Sequence, residues 1–161
     1  LGLMGSGKSV IGKELSKFHN IDFLDTDHII EEETGKKIGF IFKNYGELYF
    51  REIEEKICLK LLERRNCVIA LGGGSIVSRK VRELINKNSF SIYLKVDIKT
   101  LVDRIKNTRK RPLLNNVDRN EVLGRLYEQR KKFYNKANLI VENNFEKQEI
   151  VHKINSVIEK L

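Results

Sequence analysis

Two rhythms of apolar positions alternate along this chain. From Lys8 onward, Val10, Ile11, Leu15 and Phe18 recur at helical spacing, which predicts a helix beginning near Lys8. Ile21 to Leu24 is a short apolar run ending in Asp25-Thr26-Asp27, so it reads as a strand whose end carries two carboxylates. An amphipathic stretch from Ile29 to Glu33, closed by Gly35, precedes a longer helix over about 47–64 with Phe50, Ile53, Ile57, Leu61 and Leu62 as its buried stripe. Cys67 to Leu71 is continuous, apolar and partly β-branched, the pattern of a strand covered on both faces, and Gly72-Gly73-Gly74 follows it. A strand over 90–96, a helix over 99–107, a strand over 139–141 and a C-terminal helix from about Lys147 complete the pattern. Strands that alternate with helices predict a parallel α/β sheet. The polar segment 108–120, which holds the only proline, Pro112, reads as a mobile lid rather than a linker.

Length adds that the 161 residues fit one domain, taken as 1–161. No apolar run approaches the roughly 20 residues that a bilayer span needs, and no secretion signal is visible, so a cytoplasmic protein without a membrane partner is expected. Cys58 and Cys67 have no metal-ligand spacing around them and read as reduced core thiols; His19, His28 and His152 read as ordinary surface or core residues. A monomer is expected, because no long exposed apolar stripe stands out. The net charge of +9 raises the question of a nucleic-acid partner, but residues 104–119 and 125–136 account for the whole excess. Confinement to two short stretches, without aromatic interleaving, fits clamping of phosphates and an acidic small molecule better than coating a duplex.

The most specific signal is Gly2-x4-Gly7-Lys8-Ser9, a complete phosphate-loop pattern. Its backbone N–H groups can converge on phosphate oxygens at a helix start, Lys8 can reach the β and γ phosphates, and Ser9 can ligate Mg²⁺. Such a loop normally follows a buried strand, of which only Leu1 is present, so the first strand of the sheet is expected to be largely missing from these residues. A phosphate loop implies a nucleotide but leaves the acceptor open.

On the acceptor side, Asp25 and Asp27 are spaced so that an extended strand end would turn both into one crevice, one for Mg²⁺ through water and one for an attacking hydroxyl. The competing reading makes Asp27 a helix N-cap. Arg51 lies one helical turn before Glu54, which can orient it, and Arg130 sits in a basic helix-like run. Either arginine could be a solvated surface residue; a guanidinium also suits bidentate capture of a carboxylate. Arg111, beside Pro112 in the lid, could close over a transferring phosphoryl group.

In order along the chain, the phosphate loop, Leu24-Asp25-Thr26-Asp27, Phe50-Arg51-x-x-Glu54, Gly72-Gly73-Gly74, Arg111-Pro112-Leu113-Leu114 and Arg130-x-x-x-Tyr134 resemble the shikimate kinases over essentially the whole length. The resemblance implies a three-layer α/β/α P-loop kinase with a five-stranded parallel sheet, a shikimate-binding part over about 26–64, and phosphorylation of the 3-hydroxyl of shikimate by ATP in aromatic amino-acid biosynthesis. It further implies that Asp27, Arg51, Arg130 and the turn Gly72, Gly73, Gly74 hold shikimate, with Asp27 orienting or deprotonating its hydroxyl. Gly5, Ser6, Gly7, Lys8, Ser9 and Val10 would wrap the ATP phosphates, Ser9 would bind Mg²⁺ with Asp25 in its outer shell, and Lys8 and Arg111 would steady the transferring group. Arg104 resembles the residue that stacks near adenine; segment 142–148 yields no assigned adenine ligand. The alternatives are a gluconate or nucleotide kinase and, from another class, a nucleotide or nucleic-acid binding module.

Overall fold

A computed structural model describes residues 1–106, 118–144 and 146–160. Arg111 and most of the expected lid lie outside them; residues 118–120, also expected in the lid, are the Asp118 N-cap and first turn of a helix. Among the described residues the chain runs α1 (Lys8–His19), β1 (Asp22–Asp25), α2 (Thr26–Thr34), α3 (Ile38–Leu62), β2 (Cys67–Ala70), a 3-10 turn (Ser75–Val77), α4 (Arg79–Asn88), β3 (Ile92–Lys95), α5 (Ile98–Ile105), α6 (Arg119–Tyr134), β4 (Leu139–Glu142) and α7 (Lys147–Ile158). The strands pair in parallel as β1 with β2 and β3 with β4, in registers Asp25↔Ala70 and Leu94↔Val141. Leu1 donates from its N to Ile92 O and accepts from Leu94 N, a parallel-ladder pattern that brings the start of the chain alongside β3.

Helices cover both faces of the strands. Leu94 and Val141 join Ile11 and Leu15 of α1 and Ile150 and Ile154 of α7 in one buried cluster. Tyr93, one residue before Leu94, points the other way into a cluster with α3, α4, α5 and α6 residues such as Cys58, Val81, Leu101 and Leu123. That alternation along β3 is the two-residue period of a strand buried on both sides, and it gives three layers. A third cluster, Ile30, Ile41, Phe50, Ile57 and Leu61, fastens α2 to α3.

The long helix differs from its expected span. Periodicity places its start near Glu47, whereas α3 begins at Ile38, with Gly46 at φ 82° and ψ 173° interrupting it. The segment is two helices in series, joined at a residue whose backbone only glycine adopts without strain. The second begins where the sequence predicts and carries Arg51 and Glu54.

Candidate active site

The phosphate loop closes on itself through Ser6 N to Leu3 O at 3.2 Å, and Lys8 Nζ lies across it, donating to Gly2 O and Leu3 O at 2.9 Å each. The N-cap of α1 is Gly7, with no side-chain cap. The first N–H groups of that helix are therefore left to an external acceptor, the arrangement that suits an anion.

Beside the loop, Ser9 Oγ donates to Asp25 Oδ2 at 2.5 Å. Asp25 is the N-cap of α2, accepting from Asp27 N at 3.0 Å and His28 N at 3.4 Å. The cap is thus Asp25, not Asp27. Nor do the two aspartates share a strand face: β1 ends at Asp25, and Asp27 stands in the first turn of α2. Both nevertheless line one cleft of about 440 Å³ with Gly7, Lys8, Ser9, Gly72, Gly73 and Arg104. A larger cleft of about 1000 Å³, lined mostly by apolar residues including those of α1, β2 and β3, shares Lys8 with it but neither aspartate nor the glycine turn.

Thr26, fully buried between the aspartates, has a role that the sequence reading missed. Its Oγ1 donates to Ala70 O at 3.3 Å and accepts from Gly72 N at 2.8 Å, stapling the start of α2 to the glycine turn. The turn then meets three functional groups. A Cβ on Gly72 would collide with the Glu54 carboxylate and come 3.0 Å from Asp27 Oδ1, and one on Gly74 would collide with the Arg51 guanidinium. A Cβ on Gly73 would meet Gly2 O at 3.2 Å and Met4 N at 3.3 Å, both backbone atoms of the phosphate loop. A side chain there would press on main chain, which would have to give by a few tenths of an ångström.

The two arginines lie in different electrostatic settings. Arg51 Nη1 contacts Glu54 Oε2 at 2.6 Å and Nη2 contacts Glu47 Oε1 at 3.0 Å. Burial alone would lower its pKa, but the two carboxylates outweigh burial and hold it above the ordinary arginine value. Arg130 is 4% exposed; its Nη1 donates to Gly73 O at 3.1 Å, and Tyr134 OH donates to the same oxygen at 2.6 Å. Burial lowers its pKa, only partly offset by Tyr134, and its Nε has no hydrogen-bond partner among the described residues. A guanidinium stays protonated even so, which leaves a buried cation with donor capacity to spare. Arg104, exposed on α5, donates from Nη2 to Asn143 O at 2.9 Å.

The phosphate loop shares one cleft with Asp25, Asp27, Gly72 and Gly73, while Arg51 and Arg130 do not line that cleft but meet the same glycine turn, and this arrangement is that of a P-loop kinase of small molecules. It belongs to the shikimate kinase family: the family model described as "Shikimate kinase" matches residues 4–159. The shikimate kinase of Bartonella henselae is 40% identical over 151 residues, 94% of this chain and 72% of that one. That of Xylella fastidiosa (strain M23) is 42% identical over 142 residues, 88% of this chain and 79% of its own. The structure of shikimate kinase from Acinetobacter baumannii in complex with shikimate superposes with a TM-score of 0.95 at 32% identity, covering 99% of this chain and 90% of that one. The chain is accordingly an ATP-dependent kinase with the expected three-layer P-loop fold.

Proposed function

We propose that the chain transfers the γ-phosphoryl group of MgATP to the 3-hydroxyl of shikimate, giving shikimate 3-phosphate and ADP, through the residues just described. The observation that carries this is Gly73, where a Cβ would stand 3.2 Å from Gly2 O of the phosphate loop while its carbonyl accepts from Arg130 and Tyr134. One residue thus touches both the phosphate loop and a side chain of the proposed acceptor site, which supports transfer between the two.

Arg51 and Arg130 take the shikimate carboxylate, and backbone N–H groups of the 72–74 turn help to seat the molecule. Asp27 accepts the hydrogen bond of the attacking hydroxyl and receives its proton as the new O–P bond forms and the bond to the ADP oxygen breaks. Lys8 neutralises the developing charge, and Arg111, outside the described residues, is assigned the same task from the resemblance alone. The Ser9 hydroxyl and the Asp25 carboxylate are hard oxygen donors side by side and fit Mg²⁺, with Ser9 direct and Asp25 in the outer shell. Mg²⁺ held there by Ser9, with Asp25 behind it, would supply neutralisation of the phosphate charge. Among the described residues no cluster of three or more His, Cys, Asp or Glu side chains could hold a metal, in keeping with an ion that relies on phosphates and water for its other ligands.

We read residues 1–161 as one domain working in the cytoplasm. Both cysteines are free thiols, and no described helix is long and apolar enough to cross a membrane. The monomer reading is set against the exposed Phe40, Tyr45, Leu48 and Tyr49 of α3, and sedimentation at two concentrations decides it.

The test is ADP release with MgATP and, in parallel, shikimate, quinate, gluconate or nucleoside monophosphates. Shikimate-dependent release alone supports the assignment; a response to another acceptor keeps the fold and replaces the substrate. Salt-sensitive oligonucleotide binding without turnover would favour the binding-module alternative.

A further inference from the structure

We infer that Asn143 is a positioning residue of the nucleotide site: its side-chain amide fixes the Ser6–Gly7 peptide of the phosphate loop while its backbone carbonyl holds Arg104. This rests on the P-loop reading above and adds a residue outside the loop on which its shape depends.

Asn143 follows β4 directly and is 5% exposed, unusual for a short polar side chain just after a strand. It joins four segments. Its backbone N donates to Lys95 O of β3 at 2.8 Å, its Nδ2 donates to Ser6 O at 2.6 Å, its backbone O accepts from Arg104 Nη2 at 2.9 Å, and Nδ2 lies 2.7 Å from where a Cβ on Gly7 would stand.

The consequence follows from peptide planarity. Ser6 C=O and Gly7 N–H belong to one trans peptide and point in opposite directions. Holding the carbonyl on Asn143 directs the Gly7 N–H to the opposite face, the one that encloses phosphates in the P-loop reading. Gly7 sits at φ 87° and has no side chain to resist a flip of that peptide, so the loop's own sequence does not choose between the two orientations. The amide of Asn143 makes that choice before nucleotide arrives. A side chain at position 7 would have to displace that amide.

The test compares the unmodified chain with Asn143→Ala and Asn143→Asp, measuring ADP affinity by calorimetry, KM for ATP and for shikimate, and Tm. Loss of one buried donor should weaken ADP binding and raise KM for ATP about tenfold. In Asn143→Asp a carboxylate oxygen faces the Ser6 carbonyl, so the loss should be at least as large. KM for shikimate should stay within about twofold, with Tm moving by only a few degrees. ADP affinity within about twofold of the unmodified chain in either folded variant overturns the inference. So does a parallel loss of ADP and shikimate affinity tracking a fall in Tm, the signature of a merely structural role. Failure of the P-loop reading itself would show separately, as absence of ADP binding by the unmodified chain.

Discussion

Glu54 receives Arg51 Nη1 on its Oε2 at 2.6 Å while only 3% of the Glu54 side chain is exposed. Glu47 holds the other edge of the same guanidinium, and Gly74 lies against it. The fork of Arg51 is therefore held in advance, and in its proposed role little side-chain entropy would remain to be lost on capturing a carboxylate.

Glu54→Gln keeps the shape and removes the charge, so it should raise KM for shikimate about tenfold while leaving KM for ATP unchanged. Steady-state kinetics in both substrates checks it. Arg51→Ala should also cost stability, about 2 kcal/mol by urea unfolding, because it strands a buried carboxylate. An unchanged unfolding midpoint would show that Glu54 is not held by Arg51.

Arg130 should behave oppositely. Its charge is buried, with Nε lacking a partner among the described residues. Arg130→Met should therefore weaken shikimate binding more than tenfold without lowering Tm. Equal shikimate affinity by calorimetry would remove Arg130 from the acceptor site.

Asp25→Asn removes a carboxylate that orients Ser9. The Mg²⁺ concentration for half-maximal rate should rise several-fold, whereas KM for shikimate stays put. Lys8→Ala, by comparison, should abolish turnover at any Mg²⁺ concentration. Unchanged Mg²⁺ dependence in Asp25→Asn would mean that the metal lies elsewhere.

Stability should fall at alkaline pH. Burial pushes the Cys58 thiol from 9.0 up to about 12 and the Tyr93 phenol from 10.0 up to about 12. Above the ordinary values the unfolded chain releases protons that the folded chain still binds, so folding is favoured less as pH rises from 9.0 to about 12. Below that window the two groups contribute no slope. Urea midpoints at pH 8 and pH 10.5 measure the effect, and Cys58→Ala should flatten it; an equally steep fall in that variant would assign the loss to other groups.

The parts of the site that were legible in the sequence are those whose chemistry is local. The phosphate loop, its helix and the Arg51–Glu54 pair depend on spacings of a few residues, which a sequence displays directly. Less legible was which aspartate caps α2: both spacings permit a cap, and the choice falls to Asp25 because Ser9 anchors it from another element. The first half of α3 was hidden because Gly39 and Gly46 break the helical pattern, while its burial comes from α2 packing on Ile41. Helix α4, with Arg79, Lys80, Arg82, Glu83 and Lys87 around two buried positions, showed too narrow an apolar stripe to be read. Thr26 and Asn143 act across 46 and 137 residues of sequence, and no local pattern marks such partners.

Gly73 also limits how this catalyst could change. Its neighbours on one side are main-chain atoms of the phosphate loop, present whatever side chains surround them. A side chain there would press on the phosphate loop, which the proposed reaction uses for its donor. A change of acceptor is left to the side chains proposed to face it, Asp27 on α2, Arg51 on α3 and Arg130 on α6. Divergence of substrate choice thus falls to those side chains rather than to the glycine turn.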